Sequence, residues 1–170
     1  MIYNIAITFN KILNNEIYNY YKTFSNDLNL KFGLKETSIP HITIVKFKTK
    51  KQLSKNELSL ILNKIPQSLT INLNGLTILP SSNTGCWIEI TINKTKELLE
   101  LQESILEKLK NYEIKSEIND NFRPHITFGK TIDNDVAIKN IDYSMLTKKQ
   151  IIGKIEIGLT DKTFEFYKIK

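Results

Sequence analysis

The tetrapeptide Pro-His-Ile-Thr occurs twice, as Pro40-His41-Ile42-Thr43 and Pro124-His125-Ile126-Thr127, and the two copies hold both histidines of the chain. His125 follows His41 by 84 residues in a chain of 170, and each copy continues to a lysine at the same offset, Lys46 and Lys130. A motif that repeats at half the chain length implies an internal duplication. Two lobes would each bring one His and one Thr to a shared cleft.

Each copy lies in an apolar, β-prone run, residues 39–47 and 122–129, in which side chains alternate between the two faces of a strand. His41 and Thr43 then share one face, with Ile42 and Ile44 on the other. At about 3.3 Å per residue the imidazole and hydroxyl bases lie roughly 6–7 Å apart, room for one phosphate or carboxylate. On regular strands Lys46 and Lys130 point away from the histidines, so they read as solvated rim charges outside the catalytic set.

Around the motifs one order of elements recurs. A strand is expected over residues 3–9 and a helix over 14–32, stopped by Gly33, before the first motif strand. A strand over 86–92 and a helix carrying Leu98, Leu101, Ile105 and Leu109 precede the second. Between them Ser54 and Glu57 form a capping-box pattern for a helix ended by Pro66, and residues 69–79 read as a strand interrupted at Gly75. A weak helix over 133–146 and a closing hairpin, 151–159 with 163–169, complete the chain.

Two His-x-Thr motifs at half-chain spacing, each on a strand that follows a strand and a helix, resemble the 2H phosphoesterases. The resemblance covers most of the chain. It implies an α+β fold, bilobal and pseudo-twofold, with two antiparallel sheets lining a central cleft and helices outside, residues 1–170 forming one domain of two intertwined lobes. It implies a metal-independent phosphodiesterase acting on RNA-type 2′,3′-cyclic phosphate ends or on 2′,5′-linked or cyclic oligonucleotides, with no cofactor. Its catalytic set would be His41, Thr43, His125 and Thr127. RNA 2′,5′-ligation is the same chemistry in reverse. A non-catalytic RNA- or nucleotide-binding protein that keeps the cleft is the reading from a different class.

The residue types suit acid–base work on a phosphodiester. Histidine has an ordinary pKa near 6.5, so one neutral imidazole activates water while a charged one protonates the leaving oxygen. Threonine hydroxyls would donate to nonbridging phosphate oxygens. Arg123, the chain's only arginine, precedes His125 by two residues and is placed by Pro124 on the same strand face. Its charge would lower the pKa of His125, which makes His125 the expected base and His41 the expected acid. Its planar fork is also a candidate grip on phosphate. Trp87, on the polar side of the 86–92 strand with Glu89 and Thr91, either stacks on a base or packs under a helix. Tyr167 is a further candidate substrate contact.

Composition bounds the alternatives. The single cysteine, Cys86, excludes an internal disulfide framework and a cysteine-based zinc site, and two imidazoles alone are an incomplete zinc set. Asp133 and Asp135 read as an exposed turn. No signal peptide or membrane span is evident, so a cytoplasmic location and no membrane partner are expected. A net charge of +6 suits an anionic partner, an RNA end or a small oligonucleotide, though spread lysines also serve solubility. The protein is expected to act as a monomer.

Overall fold

The computed structural model describes residues 1–81, 83–136, 150–160 and 165–168. The first half runs β1 (Ile2–Thr8), α1 (Lys11–Ser25), β2 (Leu30–Gly33), β3 (His41–Lys48), α2 (Lys55–Leu62), β4 (Ser68–Ile71) and β5 (Leu73–Pro80). The second runs β6 (Cys86–Ile92), α3 (Lys96–Lys108), β7 (Glu113–Ile114), β8 (His125–Thr131), β9 (Ile151–Thr160) and β10 (Phe166–Lys168). The start of β6 follows the start of β1 at the spacing that separates the histidines.

The described strands pair antiparallel in two sets. One is ordered β10-β9-β1-β3, with β4 on β9 and β7 on β3; the other is β8-β6-β5, with β2 on β8. The two expected sheets are joined, because β3 and β8 touch at one residue pair, Ile42 with Ile126. Beyond that pair each motif strand has an edge free of the other, and a short strand from the opposite half covers it: Gly33 of β2 faces Gly129, and Ile114 of β7 faces Phe47. The helices are exchanged in the same sense. Tyr20, Tyr21 and Phe24 of α1 pack their rings on Phe128 of β8, while Gln102 of α3 reaches the backbone of β3.

Both motif strands carry a β-bulge directly after the threonine. Ala6 faces Thr43 but Ile5 faces Val45, so Ile44 is an extra residue; Glu89 faces Thr127 but Ile88 faces Gly129, so Phe128 is extra. Each extra side chain is buried, Phe128 under α1. Each displaced carbonyl still finds a donor, as buried backbone must. Gln102 Nε2 donates to the Ile44 oxygen at 2.9 Å, and the Leu34 amide donates to the Phe128 oxygen at 2.7 Å.

Three expectations on element boundaries are corrected. Helix α1 starts from the Asn10 cap, whose side chain accepts from the Leu13 amide, and ends at Ser25 rather than continuing to residue 32. Asn26, Asp27 and Asn29 favour turns over helix, and Leu30–Gly33 gains strand pairing with β8 that no local pattern reveals. Gly33 is therefore a point of close approach, not a helix stop: a Cβ on its partner Gly129 would lie 2.6 Å from the Phe32 oxygen. The single strand expected over 69–79 is two, β4 and β5, paired with β9 and β6.

The capping box at Ser54 and Glu57 forms as read. β9 and β10 pair as the closing hairpin. The helix expected over 133–146 falls mostly outside the described residues. No helix among them is long and apolar enough to cross a membrane.

Candidate active site

The motif side chains stand just ahead of the bulges, His and Thr on one face of each strand. His41, Thr43, His125 and Thr127 all line one cleft of about 540 Å³ between the two strand sets, with β1 and β6 supplying the strands beside them.

The two imidazoles are held alike. His41 Nδ1 is 2.9 Å from the Ile39 carbonyl oxygen and His125 Nδ1 is 2.7 Å from that of Arg123. A carbonyl can only accept, so Nδ1 carries the hydrogen in both neutral rings and Nε2 is the basic nitrogen. Proline after each of these carbonyl residues biases it to an extended backbone, which is why the contact recurs.

The Thr43 hydroxyl is also oriented. Asn4, fully buried on β1, donates from Nδ2 to Thr43 Oγ1 at 3.1 Å. An amide NH₂ group cannot accept, so the Thr43 hydrogen stays available to an oxygen in the cleft.

Burial pushes both histidines down to about 4. Lys46 and His125 add to the effect at His41, as do Arg123 and Lys46 at His125, against the opposing pull of the carbonyl bonds. The expected lowering of His125 by Arg123 has the right direction but is secondary to desolvation. Both rings are consequently neutral at pH 7.

Lys46 lies in the cleft, contrary to its expected place on the opposite strand face. The bulge at Ile44 shifts the alternation by one, and the consecutive buried pair Ile44 and Val45 is the sequence trace of it. Burial lowers the Lys46 pKa. Lys130 is instead buried away from the cleft, its Nζ donating to Ser81 Oγ at 2.8 Å and lying 5.3 Å from the Trp87 ring centre.

Arg123 and Trp87 line the cleft. Trp87 packs edge-on against Phe32, with ring centres 5.5 Å apart, so one wall of the site is aromatic. The Arg123 guanidinium is engaged by Glu89, a carboxylate only 1% exposed on the cleft floor, and the other Glu89 oxygen is 3.5 Å from His125 Nε2. Glu89 was visible in the sequence as an acid beside Trp87 on the polar face of β6, but nothing local gave it a role.

Tyr167 is corrected. It is exposed and donates to Glu165 at 3.1 Å, whereas its neighbour Phe166, facing the other way on β10, lines the cleft and packs against His41 at 5.2 Å between ring centres. Asp133 and Asp135 are exposed and outside the cleft.

Comparisons with known proteins agree with this architecture. No curated protein matches the chain in sequence. Among solved structures, LigT of E. coli complexed with 3′-AMP aligns at TM-score 0.67 and 14% identity, covering 99% of this chain and 94% of that one. The ns2 PDE domain of MHV aligns at TM-score 0.52 and 15% identity over 89% of this chain and 86% of that one. Usb1 of Kluyveromyces marxianus aligns at TM-score 0.50 and 8% identity over 98% and 96%. At such identities the likeness shows a common fold. The model of the 2′-5′ RNA ligase superfamily matches residues 29–150, a span that takes in both His-x-Thr strands and most of the cleft, and the chain therefore belongs to that superfamily.

Proposed function

We propose that the protein is a phosphodiesterase that opens 2′,3′-cyclic phosphate ends or cleaves 2′,5′-linked or cyclic oligonucleotides by two-histidine acid–base catalysis without a metal. One observation carries this reading: two imidazoles, anchored identically through Nδ1, share a cleft with two threonines. One Nε2 takes a proton from water while the other delivers one to the leaving oxygen, and Thr43 and Thr127 donate to the nonbridging oxygens as charge builds.

The lining favours an anion with a base attached. Lys31, Lys35, Lys46 and Lys115 line the cleft with the histidines, and the Trp87 ring, standing edge-on to Phe32, offers an aromatic surface on which a base can stack. LigT, a structural neighbour, has been solved with 3′-AMP and with phosphate. Because burial keeps both histidines neutral at pH 7, the proton for the leaving group is taken up as the anionic substrate binds, its negative charge raising the affinity of a nearby imidazole for a proton.

The test is a panel of 2′,3′-cyclic mononucleotides, 2′,5′-oligoadenylate and cyclic dinucleotides, with products separated by chromatography and RNA with cyclic-phosphate and 5′-hydroxyl ends included to detect ligation. Hydrolysis that survives exhaustive EDTA is expected. Turnover abolished by chelation and restored by zinc or manganese would overturn the mechanism, and tight binding without turnover would leave a nucleotide-binding protein.

A further inference from the structure

The register permits the two sides of the floor to be compared position by position. Thr43 faces Ala6, whereas Thr127 faces Glu89. Two residues before His41 stands Ile39, whereas Arg123 stands before His125. One side of the cleft thus carries an acid and a base at the two places where the other side has apolar residues. In the fold they meet: Arg123 pairs with Oε1 of Glu89, and Oε2 is 3.5 Å from His125 Nε2. Glu89 is 1% exposed and the Arg123 side chain 41%, so the carboxylate is the fixed member.

With His125 neutral, Nε2 and the carboxylate present lone pairs to each other and form no hydrogen bond. Protonation of Nε2 turns the same contact into an ion pair, whose 3.5 Å length leaves the Nε2 hydrogen available to another acceptor. We propose that Glu89 is a positioning residue that makes His125 the proton donor of the reaction and leaves His41 as the proton acceptor, with Arg123 holding Glu89 in place.

The proposal rests on the phosphodiesterase reading and reverses the roles expected from Arg123 alone, since the Arg123 charge is already matched by Glu89. The charged groups around His125 are Glu89 from β6, Arg123 ahead of β8, and Lys46 and His41 from β3. Of these only Glu89 stabilises an imidazolium. His41 faces Lys46 and His125 and has Ala6 on β1 where Glu89 would be. The remaining acids nearby are engaged or peripheral: Glu156 accepts from Thr8, Glu165 pairs with Lys35, and Glu117 is exposed.

In the step itself, His41 Nε2 takes a proton from water as the water oxygen bonds to phosphorus. The bond from phosphorus to the leaving oxygen breaks, and that oxygen takes the proton from His125 Nε2. One water is consumed, and the two imidazoles exchange protonation states.

Histidine NMR titration of the free protein, and of the protein saturated with inorganic phosphate, tests the assignment without turnover. His125 should take up its proton at higher pH than His41, and Glu89→Gln should lower the His125 midpoint by about one unit while moving His41 far less. His41 protonating first in the wild type, or a His125 midpoint unchanged by Glu89→Gln, would overturn the proposal. If Glu89→Gln does not fold, the double variant Glu89→Ala/Arg123→Ile, which installs the apolar pattern of the other side and leaves no buried charge unpaired, takes its place.

A kinetic arm separates proton donation from structure. On an alkyl cyclic phosphate the Glu89 variants should lose about tenfold in kcat, the equivalent of one pKa unit, and on an aryl phosphodiester, whose leaving group needs no proton, about twofold or less. Equal losses on both substrates would make Glu89 merely structural. A wild-type protein that turns over neither substrate defeats the phosphodiesterase reading, while the titration order still decides the place of Glu89.

Discussion

Lys46 and Lys130 stand at the same offset in two copies of one motif, after the same kind of bulge, and they end in different places. Opposite Lys46, β1 presents Asn4, and the ammonium group stays at the cleft; opposite Lys130, β6 presents Trp87, and the side chain lies by that ring to reach Ser81. The motif therefore fixes the imidazole and the hydroxyl of each lobe, and the adjoining strand decides what surrounds them. A duplicated frame has become an unsymmetrical site through a few neighbours: Asn4 against Trp87, Ala6 against Glu89.

The largest expected effect tests what the two sides share. His41→Ala and His125→Ala should each lower kcat on a 2′,3′-cyclic nucleotide by about 10²–10⁴-fold, with circular dichroism unchanged. A folded variant with undiminished turnover would remove its half of the motif from catalysis.

The lysines break the symmetry. Lys46→Met should lower kcat/KM by about 10–100-fold, the range of a lost charged hydrogen bond. Lys130→Met should leave kcat/KM within about twofold and act on stability instead, because its ammonium group is bound to Ser81 outside the cleft. Equal kinetic losses from the two would show that the offset, and not the facing strand, sets their roles.

Trp87 gives a smaller and local signal. As the only tryptophan it reports directly, so a bound nucleotide should quench its fluorescence, and Trp87→Ala should weaken binding by about 1–3 kcal/mol. An unaltered spectrum at saturating nucleotide would assign Trp87 to packing against Phe32.

The smallest effect is on stability. Both histidines have folded-state pKa values near 4 against an ordinary 6.5, so the unfolded chain binds more protons between those values. Their contribution is complete above pH 6.5 and is lost as pH falls toward 4, on the order of 1 kcal/mol per histidine after allowance for partial exposure. Denaturant melts of a His41→Gln/His125→Gln variant should show a flatter pH dependence there; an unchanged slope would mean that the rings titrate normally.

Much of this arrangement was legible in the chain. Each histidine and its threonine share a face because alternation over three residues needs no tertiary information, and the 84-residue spacing carried the repeat of strand, helix and motif strand. What escaped depends on partners distant in sequence. β2 looked like the end of a helix because its reason for being a strand is the edge of β8, about a hundred residues away. Lys46 looked like a rim charge because a bulge is a property of two strands, hinted at only by Ile44 followed by Val45. Phe166, which no expectation singled out, lines the cleft where Tyr167 was the candidate, because a three-residue strand has too little alternation to define its faces.

The crossed strands have a consequence for how such a chain can exist at all. Half of it, ending before β6, would leave its own motif strand with a bare edge where β7 belongs, and its β2 without the partner that holds it. Bare edges invite other chains. Two copies of such a half would satisfy each other, each lending its short strand and helix to its neighbour and enclosing one cleft with two imidazoles. Within one chain, by contrast, a substitution on one side of the cleft is not repeated on the other, and the two sides can differ as Ala6 and Glu89 do.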